Sequence, residues 1–283
     1  MSYYVSVGIL LIFLAVYLRK GKKEKKEPKE SFESHVCDHD GAGLVELSPG
    51  TLWHVTAKFK GNGPHWRRMI VFRPPKSQSL ILLSPTAVPE DVMSAVESLG
   101  SVDYLIIPNP CHRTDSAVFK QRYLSAKVAS PPGWVRKAVS EVVPVDMDVR
   151  ELAQIFSEST KVVRIGGQVD PKEPEGDMEY AYEFRCHDGS WAYAVTDSLF
   201  NFPEKSFATW LFGNSGIEQE CGPTIPRVGR IGKFFMHSKV TCAEFYREMA
   251  KRDDVSMILM AHGDVYLEDT QKAFREIAND LVG

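Results

Sequence analysis

Three apolar stretches of this chain end in side chains that a hydrophobic core has no use for. YLIIP (104–108) runs into Asn109-Pro110-Cys111-His112-Arg113-Thr114-Asp115, SWAYAVT (190–196) into Asp197, and SMILM (256–260) into Ala261-His262-Gly263-Asp264. Neutral imidazoles and a carboxylate are zinc-type ligands, so His112, Asp197 and His262 form a candidate site for one divalent ion, provided the three segment ends meet. An ion held there would acidify a water toward neutral pH and so supply hydroxide. Plainer readings stay open: Asp197 can cap the turn into LFNF, and His262 can be a hydrogen-bonded histidine before a glycine turn. Cys111 is a candidate nucleophile in the same cleft, although adjacency to His112 makes no dyad, because neighbours in an extended chain point apart. Gly229-x-x-Gly232-Lys233 lacks the spacing of a phosphate-binding loop, Arg164-Ile-Gly-Gly167 opens no helix as a dinucleotide fingerprint must, and Gly213-Asn-Ser215-Gly216 falls one residue short of a nucleophile elbow.

The surrounding pattern says what would position these residues. LWHVTAKF (52–59), RMIVF (68–72) and LILL (80–83) read as successive strands broken by GNGP and PPKSQS, both turn signals. PEDVMSAVESLG starts a helix at Pro89 and stops it at Gly100, with Val92, Met93, Val96 and Leu99 on one face. YLIIP and KVAS (127–130) are strands, AVFKQRY (117–123) and VRELAQIF (149–156) helices. Strands resume at VVRI (162–165), EYAYEF (179–184) and SWAYAVT, and the chain closes helix, strand, helix over 239–252, 256–260 and 270–282. Hairpins followed by strand–helix alternation, twice over, predict two sheets covered by helices, a four-layer α/β sandwich over residues 44–283. Ligands in such sheets gather beyond the carboxyl ends of strands, where the three polar segment ends lie.

The first forty-three residues are of another kind. Tyr3 to Leu18 carries no charge over sixteen residues, about 24 Å as a helix against a hydrocarbon core of about 30 Å. Tyrosines sit at both ends, and Arg19 and Lys20 follow. No basic residue precedes the run and no small-x-small site follows it, which argues against a cleaved leader. LRKGKKEKKEPKE, in turn, cannot continue into a packed core. Residues 1–20 are therefore expected to be a single transmembrane anchor. Basic residues on its C-terminal side place the remainder in the cytosol, and its shortness suits a thin membrane such as the endoplasmic reticulum or the outer mitochondrial membrane. Residues 21–43 read as a charged, flexible tether. Within it, His35-x-Cys37-x-His39-Asp40 has ligands two apart, but no second ligand cluster lies nearby to complete a clip.

Composition bounds the partners. Hydrophobic residues at 43% and charged residues at 25% exclude a disordered chain, a collagen and a multi-span membrane protein. Residues 19–30 hold seven basic and three acidic side chains, which leaves 27 basic and 34 acidic elsewhere, so the body carries about −7 of a total of −3. An acidic body has no electrostatic reason to bind nucleic acid. Five cysteines without a CxxC pair read as free thiols in a reducing compartment.

The stretches AVTDSLFNF, ILMAHGDV and LGSVDYLIIPNPCHRTDSAVFKQRYLSAKVASPPG, after the hairpin and LILLSPTAVPEDV, together resemble the metallo-β-lactamase superfamily, more narrowly one of its divergent branches, over roughly residues 44–282. The resemblance implies an αββα sandwich and hydrolysis of esters, amides, thioesters or phosphodiesters with one or two metals, usually zinc. It puts Asp197 where that family has a bridging aspartate and His262 where it has its last histidine ligand. The family signature HxHxDH should follow YLIIP, but NPCHRTD keeps only His112 and a displaced Asp115. The histidine expected before the aspartate-bearing hairpin has His187 as its candidate if that hairpin is short. What the resemblance implies is at best a one-ion site of His112, Asp197 and His262, with Asp115 or His187 as auxiliary catalytic groups acting on an unknown small-molecule substrate. The alternative is a pseudoenzyme, the same fold without metal, binding a protein partner at a membrane surface.

Overall fold

A computed structural model describes residues 31–36, 43–58, 66–168, 179–202 and 225–283. Among the described residues eleven strands form two sheets. The first holds β1 (Leu44–Ser48), β2 (Leu52–Lys58), β3 (Trp66–Phe72), β4 (Ser79–Leu83), β5 (Ser101–Ile106), β6 (Lys127–Ser130) and β7 (Met147–Asp148), in that order. Its first four strands run antiparallel as hairpins, and β4 to β7 run parallel. The second sheet has the order β11 (Val255–Met260), β10 (Trp191–Val195), β9 (Tyr180–Arg185), β8 (Thr160–Arg164), with only the β10–β11 pair parallel.

Both faces of each sheet are apolar, so both must be covered. Alternation along β2 sends Leu52 to one side and Trp53, Val55 and Ala57 to the other. Leu52, Ile70, Phe72, Ile81 and Ile106 of the first sheet pack between the sheets against Tyr182, Phe184, Ala192, Ala194 and Leu259 of the second. Outside the first sheet lie α2 (Glu90–Glu97), α3 (Ser116–Arg122) and α4 (Gly133–Ser140), through Val92, Met93, Val96, Phe119, Val135 and Val139. Outside the second lie α7 (Lys239–Met249) and α8 (Thr270–Val282), through Tyr246, Phe274 and Ile277, which meet Tyr193. Helix α5 (Val149–Ile155) starts at a reciprocal cap in which Asp148 and Glu151 each satisfy the other's backbone, and α6 (Arg230–Phe235) precedes α7.

The compact unit begins at Phe32, inside the stretch expected to be tether. A one-turn helix, α1 (Phe32–His35), docks on α3: Phe32 meets Phe119 at 5.3 Å between ring centroids, and the Arg122 guanidinium lies 4.9 Å over the Phe32 ring. A flexible reading of residues 31–36 is therefore corrected, because one apolar side chain finds a tertiary pocket that sequence alone does not show. The expected anchor falls outside the described residues, as do Cys37, His39 and Asp40 of the expected clip. Among the described residues no helix is long and apolar enough to cross a membrane.

Candidate metal centre

Strand register does most of the positioning. Val195 and Met260 are partners in the parallel β10–β11 pair, and Asp197 and His262 each lie two residues further on. Both therefore leave the same edge of the second sheet side by side. His112 arrives from the first sheet, on a 3-10 turn (Pro110–His112) that follows β5. The turn starts because Asn109 Oδ1 accepts from the backbone N–H of Cys111 at 2.8 Å and of His112 at 3.1 Å. Gly263 closes the other side in a left-handed conformation, where a Cβ would meet the Asn201 carbonyl oxygen at 2.1 Å.

The three side chains converge. His112 Nε2 and His262 Nε2 each lie 3.2 Å from Asp197 Oδ1, and 3.3 Å from each other. This near-equilateral triangle can be tested against two chemistries. Charge-assisted N–H···O⁻ bonds close to about 2.7–2.9 Å, so the two imidazole–carboxylate contacts stand at the long end of hydrogen bonding. Ligands on a tetrahedral ion at about 2.0–2.1 Å stand about 3.3–3.4 Å apart, close to the edges of 3.2, 3.2 and 3.3 Å. Two imidazole nitrogens and one carboxylate oxygen are a donor set that could hold a divalent metal ion.

Protonation favours the same reading. Burial pushes the His112 imidazole down to about 4, outweighing the pull of Asp197, so it is neutral at physiological pH and able to ligate. Burial alone would raise the Asp197 carboxyl, but the facing imidazoles of His112 and His262 hold it well below the usual carboxylate range. Ser84 Oγ lies 2.7 Å from His112 Nδ1, which commits the ring's Nε2 to the triangle. Ser84 reaches there from a backbone with φ of 57°, a left-handed conformation rare for a non-glycine residue.

The triangle is braced from behind. Asn109 Nδ2 donates to Asp197 Oδ2 at 2.8 Å and to Thr196 Oγ1 at 3.0 Å. The buried Glu179 carboxylate accepts from the backbone N–H and hydroxyl of Thr196, from Asp197 N–H at 2.9 Å and from Ser198 Oγ at 2.8 Å, fixing the turn that carries Asp197. Burial and the Asp197 charge push Glu179 up to about 7. Phe200 stacks on the His262 ring with centroids 5.7 Å apart.

The remaining candidates lie elsewhere. Asp115 is buried but engaged: Oδ1 is 3.0 Å from His35 Nδ1, while Oδ2 accepts from Ala87 N–H at 3.0 Å and lies 3.5 Å from Arg67 Nη1. Arg67 in turn donates to the carbonyls of His112, at 2.9 Å, and Pro85. Asp115 thus ties the ligand loop to its neighbours instead of facing the triangle, which corrects its expected catalytic role. His187 is exposed in the turn between β9 and β10, held by its backbone N–H to Ser48 Oγ, at the opposite end of β10 from Asp197. Five strand residues separate those ends, about 16 Å of chain, so His187 is removed as an auxiliary group. Cys111 is exposed, and both ring nitrogens of the adjacent His112 face Ser84 and the Asp197–His262 pair. Asn109, Ser84 and Glu179 were missed by reading the sequence. All three stand in stretches read above for other reasons, Asn109 just after YLIIP, Ser84 in LILLSPTAVPEDV and Glu179 in EYAYEF.

No protein-family model and no curated protein matches this sequence. Solved structures do match in fold. A metallo-β-lactamase from Erythrobacter litoralis, with β-mercaptoethanol in its active site, superposes with a TM-score of 0.54 at 12% identity, over 84% of this chain and 96% of that one. FIM-1 from Pseudomonas aeruginosa, in its mono-zinc form, gives 0.52 at 10% identity over 88% and 99%. VMB-1 gives 0.52 at 9% identity over 85% and 97%.

Proposed function

From the metallo-β-lactamase fold that the likeness to these structures establishes, we propose a hydrolase-like protein with a single divalent metal, preferably zinc, held by His112, Asp197 and His262. The observation that carries this reading is the triangle of ligand atoms with edges of 3.2, 3.2 and 3.3 Å. A zinc ion on three protein ligands acidifies the water in its open position and polarises a carbonyl or phosphoryl oxygen, which suits an ester or phosphoester bond. The chain's own part is to deliver two neutral imidazoles and one carboxylate in fixed orientation. Ser84 holds the Nδ1 side of the His112 ring, and Phe200 covers one face of His262. His112 and Glu179 are buried, which keeps the back of the site dry and strengthens each electrostatic contact there.

The test is metal analysis of the purified chain without chelator. About one equivalent of zinc should be bound, and Asp197→Asn and His262→Ala should each abolish it. A well-folded wild type without metal would leave a binding or scaffold module of the same fold. We also propose that residues 1–20 anchor the chain in a membrane with the folded domain in the cytosol. The uncharged run Tyr3–Leu18, the basic residues after it and the free thiols of Cys111, Cys186 and Cys242 support this. Deleting residues 1–20 should move the protein into the soluble fraction, and retention on membranes would refute the anchor.

A further inference from the structure

Asn109 uses its whole hydrogen-bonding capacity at the centre. Its Oδ1 accepts from two backbone N–H groups, Cys111 and His112, and its Nδ2 donates both hydrogens, to Asp197 Oδ2 and Thr196 Oγ1. The two acceptances settle which end of the amide is oxygen, so the donor end must face the carboxylate. One side chain thereby joins the His112 loop of the first sheet to the Asp197 turn of the second. It also occupies Asp197 Oδ2, leaving Oδ1 alone toward the imidazoles.

We propose that Asn109 is the positioning residue of this metal site: it holds Asp197 to one-oxygen ligation and so keeps the ion four-coordinate with one open direction. The proposal deepens the metal reading above and rests on it. An unrestrained aspartate can turn both oxygens to an ion, which raises the coordination number and fills the open direction. Asn109 touches neither substrate nor ion. Its effect passes through the orientation of Asp197, as partners behind metal ligands generally act.

Asn109→Asp separates this role from mere folding. Aspartate keeps the Oδ1 acceptor and is at least as good at starting the turn, but it replaces the donor toward Asp197 with an oxygen. The measurement is cobalt(II) titration of full-length wild type, Asn109→Asp and Asn109→Ala, following the visible ligand-field bands, with circular dichroism and thermal melting as the check on folding. Wild type should give the intense bands of four-coordinate cobalt. Asn109→Asp should keep the turn but melt below wild type, because a second carboxylate then faces Asp197, and should bind cobalt 10–100-fold more weakly, the usual range for removing a partner behind a ligand, or show the weaker bands of higher coordination. Asn109→Ala, lacking both ends, should show the same spectral change with a lower melting temperature. Asn109→Asp with wild-type affinity and an unchanged spectrum overturns the positioning role and leaves the metal reading standing. A folded wild type that takes up no cobalt overturns both.

Discussion

Ser84 offers a test in which stability and metal affinity respond differently to two substitutions at one position. Its left-handed backbone is a strain of about 1–2 kcal/mol for a residue with a Cβ, and its hydroxyl is the partner of a buried His112 nitrogen. Ser84→Ala keeps the strain and removes the hydroxyl, so the chelated protein should lose about 1–3 kcal/mol for a buried polar group left unmatched. Ser84→Gly removes the hydroxyl as well but relieves the strain. Glycine gives back about 0.4–1 kcal/mol through the freedom of its unfolded chain. The glycine variant should therefore be more stable than the alanine variant by about 0.5–1 kcal/mol. Zinc affinity should not follow that order. Both variants leave the His112 ring without its orienting partner, and both should bind zinc about 10–100-fold more weakly than wild type. Urea denaturation in chelator gives the first quantity, and competition with a chromophoric chelator gives the second. Alanine proving more stable than glycine would refute the strain argument, and zinc affinities within twofold of wild type would refute the role given to the hydroxyl.

Other outcomes follow from the same structure. Burial, with the Arg68 charge adding to it, pushes His54 down to about 3 from an unfolded value near 6.5, so its neutral form stabilises the fold above that value and the benefit is lost as pH falls toward 3. Between pH 7 and 5 the wild type should lose about 2 kcal/mol more than His54→Gln in urea unfolding, and equal losses would show that His54 is hydrated. Asp115→Asn should lower the melting temperature by removing the charge facing the buried Arg67, at a cost of about 3 kcal/mol, yet still bind one zinc; loss of metal with the fold intact would restore Asp115 to the ligand set. Phe184→Ala, which deletes a fully buried ring 4.7 Å from Phe72 between the sheets, should cost about 3–5 kcal/mol in chemical denaturation.

Much of the architecture was legible because most strands are apolar runs closed by Gly, Pro or a polar cluster, unlike Leu44–Ser48 and Met147–Asp148. The convergence of His112, Asp197 and His262 was legible for a related reason: a polar residue just past a buried strand has no packing role to explain it. What escaped depends on the third dimension. The helix Gly133–Ser140 opens with Gly-Trp after two prolines and so looks like a loop, although Val135 and Val139 pin it to the first sheet. His187 lies near Asp197 along the chain, but a hairpin sends its turn to the far end of the strand. Ser84 declares its role only through φ, and Glu179 only through the four donors that converge on it.

The ligand atoms come from opposite halves of the sandwich, His112 from beyond β5 and Asp197 with His262 from beyond β10 and β11. Neither half owns all three side chains, so the proposed ion would rivet the halves together only once they have closed on each other. By reciprocity, whatever the ion contributes to holding them closed is also what loosening the seam subtracts from its affinity. Damage at Phe72 or Phe184, remote from any ligand, should therefore register as metal release, making the ion a reporter of whether the two leaves of the protein are shut.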